Sequence, residues 1–87
     1  MLRILDSFDI SRETRLRQAA DIRLVQRHDG LCTVVHVDNG IVSNLDRSRS
    51  FAPYGERAVS YVAAWTSEAR ARSRFTRTKR QYEGDGE

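Results

Sequence analysis

Three side chains that bind metals or act as nucleophiles recur at intervals of four residues: His28, Cys32 and His36. On a helix this spacing would place all three on one side. The surrounding residues indicate strands, and Cys32 and His36 would then lie about 13 Å apart along one strand, whereas zinc ligands lie about 2.0–2.3 Å from the ion. A Cys–His nucleophile pair also needs hydrogen-bond contact. We therefore expect no metal site and no catalytic site.

No motif indicates another chemistry. The chain contains neither a Gly-rich phosphate loop nor the G-x-S-x-G or H-E-x-x-H patterns of hydrolases. Its carboxylates fall mostly at turns or beside arginines, as those of a solvated surface do. We therefore expect no cofactor and interpret the chain as a protein that is not an enzyme.

Cations are the second chemistry that the sequence offers. All but one of the 15 basic residues are arginines, which codon usage in a high-GC genome would also produce, so the position of the charge is more informative. Residues 1–68 hold nine basic and nine acidic residues, whereas residues 69–82 hold six basic residues and no acid. The run comprises Arg70, Arg72, Arg74, Arg77, Lys79 and Arg80.

This basic run has two interpretations. A charged helix end can simply improve solubility. Alternatively, arginine is well suited to phosphate, and Phe75 and Tyr82 within the run would offer surfaces for stacking on bases. We regard nucleic acid or another polyanion as a candidate partner for this segment.

The elements that must position these residues follow from two dipeptides, Asp29-Gly30 and Asn39-Gly40. Such pairs between apolar segments predict two-residue hairpin turns. They divide the middle of the chain into strands over residues 21–28, 31–38 and 41–48. Two-residue loops also fix the register, and they place Val37 opposite both Ile22 and Val42.

This register predicts a second cationic surface. Arg23, Arg27 and Arg47 would share one face of the sheet with His36, and we include these arginines among the candidate partner-binding residues. The alternative is that the N-terminal segment covers this face, with Glu13 or Asp9 pairing the arginines.

The segments on either side complete the predicted fold. Pro53 is typical of a first helical residue, and apolar residues then follow at helical spacing from Ala58 to Ala69. Beyond Ala69 the same side carries only polar residues, so the helix would leave the core there. Residues 2–10 would form a short strand or a strap over the sheet, and Ser11 would cap an N-terminal helix.

We therefore predict an α+β fold, a three-stranded antiparallel meander with a C-terminal amphipathic helix packed on one face and an N-terminal helix or strap. Residues 1–69 would form the domain, and residues 70–87 a basic helical extension or tail with an acidic end. A chain of 87 residues with one cysteine can form no internal disulfide, and its core is small. A second copy of the chain could complete that core, so a homodimer is possible. No apolar run approaches the length of a membrane span, and we expect a cytoplasmic protein.

The layout resembles known nucleic-acid-binding families. Helix–strand–strand–strand–helix is similar to double-stranded-RNA-binding domains, and strand–strand–strand–helix to AP2-type and integrase arm-binding DNA readers. The AP2 likeness covers about fifteen residues around the strand-to-helix junction, namely Phe51, Glu56, Ala58, Tyr61 and Ala64. The tryptophans of the AP2 strands and the lysine pair of the RNA-binding helix are absent, so we assign neither family.

These observations favour a non-enzymatic binding module. It would contact nucleic acid or a nucleoprotein through the basic tail, with the sheet arginines as a second contact. The alternative is a phage-type inhibitor, similar to anti-CRISPR proteins, that acts by protein–protein contact on a host defence or nucleic-acid-handling complex. Its arginines would meet an acidic protein surface or the nucleic-acid path of that complex. No motif in the sequence indicates that class.

Overall fold

A computed structural model describes residues 2–10 and 20–84 as a five-stranded antiparallel sheet with two helices. Each strand pairs with the next along the chain. The α+β class is confirmed, whereas the sheet has five strands in place of the predicted three. The elements are β1 (Arg3–Asp9), β2 (Ala20–Gln26), β3 (Cys32–Asp38), β4 (Ile41–Ser43), β5 (Ser50–Phe51), α1 (Glu56–Val62) and α2 (Glu68–Gly84).

The turn between β3 and β4 has the predicted form. Asn39 and Gly40 both have positive φ, 51° and 82°, as a two-residue type I′ turn requires. Asp38 therefore lies opposite Ile41, and Val37 lies opposite Val42.

The turn between β2 and β3 is one residue longer than predicted. The Arg27 N–H donates to the Leu31 carbonyl at 2.8 Å, and the Gly30 N–H donates to the Arg27 carbonyl at 2.9 Å. This is a three-residue loop in which Gly30, at φ 91°, takes the left-handed position. The predicted register of this hairpin is wrong by one residue, because Val37 lies opposite Asp21 and not Ile22.

The sheet is covered on both faces. On one face, Ile22, Leu24 and Val34 form a buried cluster with residues of α2. On the other, Val35 and Val42 form a second buried cluster with residues of α1. The central strand β3 is consequently buried on both sides, from Cys32 to Val37. The single helix predicted on one face is thus two helices on opposite faces.

The chain crosses between the faces at residues 63–67. Helix α1 ends where Ala63 takes an extended conformation. Cys32 and Thr66 then exchange two backbone hydrogen bonds, of 2.7 and 2.8 Å, at the start of β3. This short bridge fixes the point from which α2 begins its path over the second face.

The N-terminal strand β1 forms an edge of the sheet, with Phe8 opposite Ile22 and a bulge between Ile4 and Asp6. Of the two forms predicted for residues 2–10, the structure has the strand. The predicted helix that begins at Ser11, and Glu13 with it, lie outside the described residues. No described helix is long and apolar enough to cross a membrane.

Candidate nucleic-acid interface on the second helix

Helix α2 is docked on the sheet along its whole length. Ala71, Phe75 and Thr78 are buried, and Tyr82 is partly buried beside them. The Phe75 and Tyr82 rings both meet the Phe8 ring edge-on, at centroid distances of 5.4 and 5.7 Å. The expectation that the apolar stripe stops at Ala69 is therefore wrong. That expectation assumes one continuous helix through residues 63–67, whereas the helix is interrupted there.

The six basic side chains of the run all lie at exposed positions of α2. They alternate with the docking residues and do not take part in the buried cluster. A helix of 17 residues is about 25 Å long at 1.5 Å per residue. The cations therefore lie along a helix that packs against the sheet, and not on an extension free of the core. The division of the chain at residues 69 and 70 stays a prediction.

The position of each side chain around α2 follows from the helical repeat. Residues two apart differ by about 200° around the axis, and so lie on nearly opposite sides. Each docking residue therefore has an exposed residue two positions earlier that faces away from the sheet. We call this set the outer ridge: Ala69, Ser73, Thr76 and Arg80, all exposed.

The remaining cations form two rows beside the outer ridge. Arg70 and Arg72 lie on opposite sides of the helix, and so do Arg77 and Lys79, because each pair is two residues apart. We call Arg70, Arg74 and Arg77 the first flank, and Arg72 with Lys79 the second flank. A shallow depression lined by residues of the outer ridge and both flanks runs between them: Ala69, Arg72, Ser73, Thr76, Arg77 and Arg80.

The two flanks differ in their acidic neighbours. On the second flank the Arg72 Nε donates to the Glu68 carboxylate at 2.7 Å, an i,i+4 pair that is half-exposed. Pairs of this kind contribute only about 0.3–0.5 kcal/mol, so a phosphate would displace Glu68 readily. Among residues 2–10 and 20–84, no carboxylate forms a salt bridge with a residue of the first flank.

The predicted cationic face of the sheet is not formed. Arg23 lies over the Tyr54 ring at 4.6 Å and donates to Asp21 at 2.8 Å. Arg27 lies over the Trp65 ring, at 4.8 Å, on the same side of the sheet as α1. Both guanidinium groups are thus occupied within the protein.

The other two members of that predicted face lie elsewhere. His36 lies opposite Ile22, on the face that α2 covers, and Arg47 is exposed in the turn between β4 and β5. The extra residue in the first hairpin is the reason, because a shift of one residue moves every side chain of a strand to the other face relative to its partner.

The three potential metal ligands are also separated. His28 is exposed, whereas Cys32 and His36 are buried four residues apart along β3. Burial raises the pKa of the Cys32 thiol, and the negative charge of Glu68 raises it further. Burial lowers the pKa of His36, and so does the positive charge of Arg47. In the described part of the chain, no group of three or more His, Cys, Asp or Glu is placed to hold a metal ion.

Sequence reasoning identified the cations but missed the outer ridge and the stripe that defines it. The signal was present, since Ala71, Phe75, Thr78 and Tyr82 recur at i, i+4, i+7 and i+11. The expectation that Phe75 and Tyr82 offer surfaces for stacking on bases is wrong, because both rings pack against Phe8 on the sheet side of the helix.

Comparison with known proteins adds no function. No family model, no curated protein and no solved structure matches the chain. The candidate site therefore depends on its own geometry and charge.

Proposed function

We propose that the protein is a non-enzymatic binding module whose helix α2 contacts the phosphate backbone of nucleic acid. The observation that carries the proposal is that the residues of α2 that dock on the sheet and the residues that carry positive charge lie on different sides of the helix. Docking uses one side of the helix, and all six cations lie on the sides that remain exposed. A partner can therefore bind the cations without disturbing the core.

The charge distribution supports a polyanion over a solubility role. Helix α2 carries six basic and two acidic residues, whereas residues 1–67 carry nine basic and eight acidic residues. A solubilising charge has no reason to concentrate on one helix. Concentrated cations release counterions when they meet phosphates, and this release supplies most of the affinity of non-specific binding.

The sheet arginines play no part in this proposal. Arg23 and Arg27 are held by ion pairs with Asp21 and Asp29 and by stacking on aromatic rings. Hydrogen bonds from Arg27 and from the Leu31 N–H lower the pKa of Asp29 to about 2. The carboxylate therefore stays charged at neutral pH and remains a partner for Arg27.

The test is the salt dependence of binding. We expect log affinity for a DNA duplex to fall against log salt with a slope of about −5 if all six cations meet phosphates, at about −0.9 per contact. Replacing the first flank (Arg70→Gln, Arg74→Gln, Arg77→Gln) should reduce the slope to about −3. Fluorescence anisotropy at several salt concentrations between about 50 and 200 mM measures both.

A matched control removes the same charge elsewhere. Arg3, Arg49 and Arg57 are exposed and lie outside α2, so Arg3→Gln, Arg49→Gln, Arg57→Gln should leave the slope near −5. Equal losses in the two triple variants would show that only net charge matters. Absence of binding to any nucleic acid at about 50 mM salt would contradict the proposal and favour a partner with an acidic protein surface.

A further inference from the structure

We infer that the nucleic acid bound by α2 is B-form duplex DNA, with the helix lying in the major groove and one flank on each strand. This inference rests on the proposed function and names its partner. It is carried by the arrangement of small and basic side chains around α2, and by where the aromatic side chains of the helix point.

The size of α2 fits the groove. An α-helix with its side chains is about 10–12 Å in diameter, and the major groove of B-DNA is about 12 Å wide and 8.5 Å deep. Ala69, Ser73 and Thr76 give the outer ridge short side chains over two turns, so the helix axis can approach the base edges closely. The serine and threonine hydroxyls can donate to or accept from those edges.

The two flanks match the two strands that border the groove. Arg70 and Arg77 on the first flank are seven residues apart, and so are Arg72 and Lys79 on the second. Seven residues correspond to a rise of about 10.5 Å. Each flank therefore contains a pair of cations at the same separation, and the two flanks point in nearly opposite directions around the axis. A helix that bound one strand alone would need cations on one side only.

Single-stranded nucleic acid fits this surface poorly. Proteins that bind single strands place aromatic side chains where bases can stack. The aromatic residues of α2 are Phe75 and Tyr82, and both pack against Phe8 on the sheet side of the helix. Tyr61, an exposed aromatic side chain, belongs to α1 on the opposite face.

Double-stranded RNA fits poorly for a different reason. The major groove of A-form RNA is deep and narrow, and side chains cannot read it. A helix with cations on both sides would have to lie across the wide minor groove, where the two flanks could not each follow a strand. The arrangement of α2 therefore favours B-form DNA over duplex RNA, because only the DNA has a major groove wide enough for the helix.

The experiment compares four polyanions with the full chain at about 150 mM salt. The probes are a DNA duplex of about 20 base pairs, the RNA duplex of the same sequence, one DNA strand alone, and heparin. We expect the DNA duplex to bind at least about tenfold more tightly than each of the others. Methyl green, a major-groove ligand, should compete with the protein, whereas the minor-groove ligand netropsin should not.

A variant of the outer ridge tests the approach to the groove. Ser73 is exposed, so Ser73→Trp should leave the fold intact by circular dichroism. The bulky side chain should weaken binding to the DNA duplex at least about tenfold while heparin binding is retained. The control Ala64→Trp adds the same ring at an exposed position outside α2 and should bind the duplex as the parent chain does.

The outcomes separate this inference from the proposed function. Equal affinity for all four probes, or displacement by netropsin alone, would overturn the groove arrangement and leave a general polyanion-binding module. Full duplex binding by Ser73→Trp would overturn it as well. If none of the four probes binds, both the inference and the proposed function are wrong.

Discussion

The docking of α2 makes Phe75 a sharp test of the fold. Its side chain is 4% exposed, and its ring meets the Phe8 ring edge-on at 5.4 Å. It lies in the buried cluster that joins α2 to β2 and β3. Phe75→Ala would truncate the largest side chain that α2 buries and would change none of its cations.

The expected cost is large relative to the stability of a small domain. A buried Phe→Ala change typically costs about 3–5 kcal/mol of stability. An edge-to-face aromatic contact such as the one with Phe8 contributes about 0.5–1.5 kcal/mol beyond the area that it buries. At about 0.05–0.15 kcal/mol per residue, a chain of this length is stable by roughly 4–13 kcal/mol. We therefore expect Phe75→Ala to lose between about a quarter and all of the free energy of unfolding.

Urea unfolding followed by circular dichroism measures this loss. The matched control is Thr76→Ala at the next position, which is exposed and should change the stability by less than about 1 kcal/mol, because alanine is the better helix former. Truncation after Ser73, which also removes Thr78 and Tyr82, should unfold the chain. A Phe75→Ala protein within about 1 kcal/mol of the parent would show that α2 is not docked as described and would restore the interpretation of a free tail.

Two further predictions concern the sheet. Because burial lowers the pKa of His36 below its usual 6.5, the unfolded chain takes up a proton more readily than the folded one; stability should be complete above about pH 6.5 and fall as the pH falls below it. The charged groups near His36 are Asp21, Asp38 and Arg47. Urea midpoints at pH 7.5 and 5.5 measure the loss of stability, which should disappear in His36→Gln and remain in His28→Gln, since His28 is exposed. The same loss of stability in His36→Gln as in the parent chain would show that His36 is not the group responsible. Gly40→Ser should cost about 1 kcal/mol, because Gly40 has φ 82°. Gly55→Ser should stay within about 0.5 kcal/mol, because Gly55 has an extended backbone and serine is favourable at this N-cap of α1. At both positions the added Cβ meets no atom within 4 Å. Equal thermal shifts for the two glycine variants would show that backbone conformation at Gly40 does not decide the cost.

The sequence carried enough information for the class of fold and for the second hairpin. Asn-Gly leaves few options, because both residues must take positive φ, and the pairing of Val37 with Val42 follows. Asp-Gly is less restrictive, since the glycine can also serve as the left-handed third residue of a longer loop. At Gly30 it does so, and the Asp29 carboxylate accepts from the Leu31 N–H at 3.1 Å. Because the loop is one residue longer than predicted, every side chain between Ala20 and Gln26 lies on the opposite face relative to β3 from the one predicted.

The position of the cations on one helix could be predicted, but their arrangement around it could not. That arrangement depends on the phase of α2, and the phase depends on where the helix restarts after α1. The Cys32–Thr66 bridge sets the restart, and it joins residues far apart in sequence. The prediction that Arg23 and His36 share one face of the sheet is wrong because faces depend on strand register, which local sequence determined only in part.

The alternation along α2 has a consequence for how the protein can change over time. Every docking residue is separated by one position from a residue of the outer ridge, and the two sets share no member. Substitutions at Ala69, Ser73 and Thr76 should therefore be nearly neutral for folding, while they change the exposed side of the helix. Under the proposed function, selection for a new target could act on the outer ridge without disturbing the docking residues. The helix thus separates positions that folding constrains from positions that folding leaves free.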